Sequence, residues 1–158
     1  MSGTQVIGTE ADRRLRGALV RLRTASLWAD ALSRLAPQAH LLDEDLPLLS
    51  RRAFLSACQE IRNSQGGSCI TLNFPHADAR ALHIAGIVLF ETLRRTDIIG
   101  RLGQRTLAVA LPGCPPARAR NVCTRIERAL LSEAARTPQA ATLARGLHAE
   151  IIPLAPDG

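Results

Sequence analysis

The chain has 158 residues, 46 % of them apolar, which suits one compact domain with a terminal extension and is too little for two full domains. Its uncharged apolar stretches, such as Ile84 to Phe90 and Thr106 to Cys114, fall well short of the roughly 20 residues that a membrane-spanning helix needs. A formal net charge of +6 favours a phosphate-bearing partner through long-range attraction, without choosing among DNA, RNA, an anionic membrane and an acidic protein.

The remaining composition narrows that choice. Trp28, Phe54, Phe74 and Phe90 are scattered and none is interleaved with basic residues as a single-strand stacking platform requires, so no nucleic-acid partner is expected. Residues Met1 to Glu10 lack the basic region and apolar run of a signal peptide, and a cytoplasmic protein is expected. Cys58, Cys69, Cys114 and Cys123 match no closely spaced zinc-binding pair and read as buried free thiols. His40, His76, His83 and His148 form no H-E-x-x-H or comparable spacing, so no metal site is expected. Ser50 and Ser68 lack a nucleophile-elbow context. Gly66-Gly67 reads as a turn.

In chain order, Thr9 to Leu35 has helical periodicity, with Leu15, Leu19, Leu22, Leu27, Leu32 and Leu35 forming an apolar stripe. The arginines at 13, 14, 16, 21 and 23 flank it as solvated charge. Pro37 ends this segment, and Asp43-Glu44-Asp45 with Pro47 marks an irregular lead-in. The expected division is therefore a helical extension and linker over 1–42 and a folded domain over 43–158.

Ser50 is a good N-cap, and Arg51 to Asn63 reads as a helix with Phe54, Leu55, Cys58 and Ile61 facing inward. Ser68 to Phe74 reads as a strand and Asp78 to Arg95 as a second helix. Asp97 to Arg101 and Arg105 to Leu111 are expected to form an antiparallel hairpin turning at Gly103. Pro115 or Pro116 suits the first turn of a helix running to about Ala135. A loop over 136–146 and a final strand from Leu147 to Leu154 complete the order. That order predicts an α/β fold, a mixed central sheet with flanking helices.

The run Asp97 to Pro112 resembles the central hairpin of diguanylate cyclase domains, D-x-x-x-R-x-G-G-D-E-F followed by a strand and a proline. Asp43 to Arg52 looks like a worn form of that family's D-x-L-T-G-L-x-N-R-R motif, so the likeness covers about residues 43–152. The resemblance implies a degenerate nucleotide-cyclase fold. Gly103 takes the first glycine of the pattern, Gln104 the second, Arg105 and Thr106 the metal and catalytic acids, and Leu107 the phenylalanine. Asn73 stands where the preceding strand ends in a metal-binding aspartate. The chain is also shorter than the family between Asn73 and Leu82, where the F-K-x-x-N-D helix holds the substrate base.

Transfer between nucleoside triphosphates needs Mg²⁺ held by carboxylates, to neutralise charge in the transition state. Arg105 is a cation where the ion would sit, and Thr106 cannot replace a carboxylate. The chain is therefore expected not to be an enzyme, with no catalytic and no metal-binding residues.

The family's inhibitory R-x-x-D site is matched by Arg94 and Asp97, with five residues between Asp97 and Gly103. In the family this surface binds cyclic di-GMP, often as two intercalated copies, aided by an arginine on the following helix; spacing from Pro112 places that position at Arg125. An arginine fork can bond guanine O6 and N7 together, and Asp97 can accept from guanine N1 and N2. Arg125, with Arg95, Arg101 or Arg128 as accessories, can neutralise phosphate or stack on the purine. The competing reading is a surface ion pair near a helix end, worth a few tenths of a kcal/mol. Arg51 and Arg52 open a helix against its dipole, which fits contact with a neighbouring phosphate or carboxylate or, as the competing reading, pairing with Asp43, Glu44 or Asp45.

These residues together imply a non-catalytic cyclic di-GMP receptor that needs no cofactor beyond this regulatory ligand. Its expected partner is another protein or a second copy, met through the N-terminal helix or the R-x-x-D face. Degenerate relatives in exopolysaccharide (cellulose) secretion suggest the pathway. The alternative is a ligand-independent interaction scaffold on a decayed cyclase fold.

Overall fold

A computed structural model describes residues 48–155. The expected helix over 9–35, the acidic lead-in at 43–45, the domain boundary at 42/43 and His40 lie outside them.

The first helix, α1 (Arg51–Asn63), starts where the sequence cue places it, because the Ser50 hydroxyl accepts from the Ala53 amide at 3.3 Å. Such a cap contributes about 1 kcal/mol. Ala53, Phe54, Ala57 and Ile61 are buried and Cys58 is half-buried. Leu55, expected inside, is instead exposed. At 3.6 residues per turn it sits about 100° round the helix from Phe54, off the buried stripe.

A tight turn at Gln65-Gly66-Gly67 leads into β1 (Gly67–Asn73). A Cβ on Gly67 would stand 2.3 Å from the Leu111 carbonyl oxygen, so glycine there permits the close strand contact. Only the short loop from Phe74 to Asp78 separates β1 from α2 (Ala79–Thr92), and no helix intervenes. Asp78 caps α2, its Oδ1 accepting from the Ala81 amide at 2.8 Å.

Next come β2 (Ile98–Gly103) and β3 (Thr106–Pro112), then α3 (Pro116–Arg136), with proline in its first turn as expected. The expected loop that follows is largely a 3₁₀ helix, Pro138–Ala144. Ala140 and Leu143, three apart and therefore eclipsed on a three-residue turn, are both buried and hold it against the core. The chain closes with β4 (His148–Leu154).

The four strands lie in the order β2-β3-β1-β4 and every pairing between them is antiparallel. Among the described residues the sheet is mixed through an isolated parallel bridge of Leu49 to Gly100, in which the Leu49 amide donates to Ile99 O at 3.2 Å and the Arg101 amide to Leu49 O at 3.0 Å. From β1 to β4 this is the split βαβ plan, β-α-β-β-α-β, with α1 added.

Period-two alternation sorts side chains onto two faces. Ile70, Leu72, Leu107, Val109 and Leu111 point to a core shared with α2, α3 and the 3₁₀ helix. Cys69, Ala108, Ala110 and Leu154 point to a second core beneath α1, with Phe54 and Ile61. Small residues in the middle of the second face let α1 approach closely, and Gly100 is the extreme case: a Cβ there would meet the Phe54 side chain at 2.6 Å.

Candidate functional site

The loop joining α2 to β2 carries the R-x-x-D residues. The sequence cue extends α2 to Arg95, yet the helix stops at Thr92, with Leu93 already extended. Asp97 supplies the cause. Its Oδ2 accepts from the Arg94 backbone amide at 2.8 Å, and its own amide donates to Arg94 O at 3.1 Å. A carboxylate bonding a backbone N–H three residues earlier closes the turn locally, competing with the next helical bond.

The same carboxylate takes a second bond. Arg94 Nη2 donates to Asp97 Oδ1 at 3.2 Å, so Arg94 and Asp97 are on the same side of the domain and in contact. Their exposures differ sharply: the Arg94 side chain is 54 % accessible and that of Asp97 only 2 %. Both Asp97 oxygens are engaged within the turn, and the group facing solvent is the guanidinium that they orient.

The accessory residues divide. Arg95 is exposed beside Arg94. Arg101 instead turns to its own hairpin, donating from Nε to Gly103 O at 3.1 Å and from Nη2 to Gln104 O at 2.9 Å, which makes it a clip on the β2–β3 turn. Arg125 and Arg128 are exposed, three apart on α3, a helix that packs with α2 over the same core. Neither is bonded to Arg94 or Asp97.

The hairpin turn shows what stands in the positions that the cyclase resemblance assigns to acids. Asn73 and Thr106 face each other across β1 and β3, and the Thr106 hydroxyl donates to Asn73 Oδ1 at 3.3 Å. A neutral amide–hydroxyl pair thus bridges β1 and β3 at this end of the sheet. Arg105 lies flat toward the β1–α2 loop, Nε donating to Ala77 O at 3.2 Å, while its carbonyl accepts from the Phe74 amide at 2.8 Å. The β1–α2 loop is thus held by Arg105 from both its side chain and its carbonyl. Among the described residues, no group of three or more His, Cys, Asp or Glu side chains is placed to hold a metal ion.

The expected pairing of Arg51 with Asp43, Glu44 or Asp45 lies outside the described residues. Arg51 donates to Leu102 O at 2.6 Å, binding the start of α1 to the end of β2. Main-chain carbonyls as partners of Arg51, Arg101 and Arg105 leave no sequence signal, because any residue supplies one. The three histidines described, His76, His83 and His148, are all exposed, and His148 Nε2 lies 3.1 Å from Glu150 Oε1.

Neither a protein-family model nor a curated protein matches the chain. Among solved structures it is similar to the diguanylate cyclase SiaD of Pseudomonas aeruginosa, crystallised in complex with its activator SiaC. The TM-score is 0.56 at 20 % identity, with 95 % of this chain and 67 % of that chain covered. The chain therefore shares the fold of a diguanylate cyclase domain. No helix among the described residues is long and apolar enough to cross a membrane.

Proposed function

We propose that this domain is a non-catalytic receptor for cyclic di-GMP on a degenerate cyclase fold. The observation that carries the reading is the solvent-facing Arg94 guanidinium, held by buried Asp97 on the loop leading into a hairpin whose acidic positions are filled by Asn73, Arg105 and Thr106. Arg94 bonds the guanine edge and Arg125 the phosphate or purine face; Arg95 and Arg128 add charge nearby. Asp97 is a positioning residue that fixes Arg94. Arg101, engaged with the turn, contributes by keeping the hairpin in shape.

The ligand carries two phosphates and two guanines, more than one such surface satisfies. A second ligand copy or a protein partner completes its shell, so occupancy promotes docking or dimerisation. SiaD is itself described with a protein activator bound. Control of exopolysaccharide, and specifically cellulose, production in the cytoplasm is the role in which such a receptor fits.

Calorimetric titration of the full chain with cyclic di-GMP tests the site. Binding is expected in the parent protein, with a loss of at least about tenfold, 1.4 kcal/mol, in each of Arg94→Ala and Arg125→Ala. No binding to the parent, or unchanged binding in the double variant, overturns the assignment. Incubation with GTP and Mg²⁺ is expected to yield no cyclic di-GMP, and turnover would refute the non-catalytic half. The saturation of Asp97 within its own turn favours the scaffold reading, which predicts equal partner assembly with and without nucleotide.

A further inference from the structure

We propose that the solvent face of α3 is a docking surface for an anionic phospholipid bilayer, which the domain meets as a peripheral protein. The helix sorts its charges by sign. Its five arginines, Arg118, Arg120, Arg125, Arg128 and Arg136, are all exposed, while both of its acids turn inward. Glu133 is 3 % exposed and bonded to Arg136, and half-buried Glu127 accepts from the Cys123 thiol at 3.2 Å. At about 100° per residue the buried positions Ala119, Cys123, Ile126 and Leu130 gather on one side, and the arginines fall within about 160° of arc on the other. The remaining exposed side chains of that arc are neutral, so the whole face has one sign. Apart from Arg136, none of the five is in an ion pair among the described residues. From Arg118 to Arg136 the row runs about 27 Å at 1.5 Å rise per residue.

Charge and the single apolar group on the face choose the occupant. A guanidinium grips a phosphate through two parallel bonds, and each arginine of a basic helix face contributes about fivefold in affinity near an anionic lipid surface. A protein interface instead needs a well-packed apolar centre. Leu131, 47 % exposed, is the one large apolar side chain on the arc, which is too little for such a centre. Among nucleic-acid phosphates the same leucine would be stranded in polar surroundings. In a headgroup layer it has an apolar destination: the long arginine side chains keep their charges with the phosphates while Leu131 dips toward the acyl chains. The surface does not depend on nucleotide binding, because Arg118 and Arg120 lie outside the residues proposed to hold cyclic di-GMP.

Co-sedimentation of the nucleotide-free full chain with phosphatidylcholine vesicles, with and without phosphatidylserine, tests the surface. Binding is expected only where phosphatidylserine is present, and it should fall as salt is raised. Arg118→Glu with Arg120→Glu should weaken it at least about tenfold, and the fold should survive because acids suit the first turn of a helix. Arg118→Gln with Arg120→Gln should give a smaller loss of the same kind. Leu131→Ser should weaken binding without changing its salt dependence. Arg52→Glu reverses an exposed charge on α1, across the sheet from α3, and should change binding less than about twofold. No binding to either vesicle, equal binding to both, or equal losses in Arg52→Glu and the α3 pair would overturn the proposal. Tighter binding to duplex RNA than to the charged vesicles, at equal phosphate concentration, would also overturn it and make the face a nucleic-acid surface.

Discussion

Asp97 shows how a buried carboxylate sets an exposed arginine. Replacing it with alanine leaves the Arg94 amide without its acceptor, and an unmet partly buried donor costs about 1–3 kcal/mol. Urea denaturation of Asp97→Ala should therefore show a lower midpoint at unchanged slope. Cyclic di-GMP affinity should fall less than in Arg94→Ala, since the guanidinium survives with its anchor gone. Equal losses in the two variants would return Asp97 to direct ligand contact. Cys123 offers a second residue-scale prediction. Burial, with help from its bond to Glu127, pushes this thiol up to about 12 from 9.0. The unfolded chain then ionises first as pH rises, so the folded state is favoured below pH 9 and loses that contribution between 9 and about 12. The denaturation midpoint of Cys123→Ala should vary less across this window than that of the parent.

Whole elements were more readable than their ends. Ser50 and Asp78 announce their helices because capping is a local bargain between a side chain and the next turn. The end of α2 was hidden, because nothing in helical periodicity signals that Asp97 will capture the Arg94 amide. The 3₁₀ helix was hidden too, its hold being the burial of Ala140 and Leu143 under distant elements. For the candidate site, the sequence placed Arg94 beside Asp97, but exposure, which decides their roles, depends on packing. The seating of α1 on β2 is likewise a tertiary matter. Gly100→Ala drives a methyl into Phe54, and overpacking of this kind costs about 1–3 kcal/mol. A Gly100→Ala, Phe54→Leu double variant should be less destabilised than the sum of its parts, which thermal denaturation of the four proteins of the cycle would reveal.

Across the whole molecule, positive charge is carried entirely by arginine; the sequence contains neither lysine nor tyrosine. No lysine ammonium or tyrosine phenol therefore titrates in alkali, and arginine stays protonated throughout. The net charge of +6 thus persists into mild alkali except for thiolate formation. For an anionic ligand, association should slow as salt screens this field over a Debye length of about 10 Å at 0.1 M. Stopped-flow measurement of cyclic di-GMP binding should show a falling on-rate with added salt, and a salt-independent rate would argue against long-range steering.

Strand order carries one more consequence, for the making of the molecule. Among the described residues β1 is the first of the four strands, yet one of its edges is met by β4, the last of them, with Asn73 opposite His148 and Gly67 opposite Leu154. A nascent chain therefore holds a row of bare amides and carbonyls along β1 until the final strand has emerged. Unpaired strand edges recruit other chains, and closure over so long a loop is slow. The hazard of aggregation in this fold thus belongs to its synthesis, and a chain cut short before Gly146 would carry it permanently.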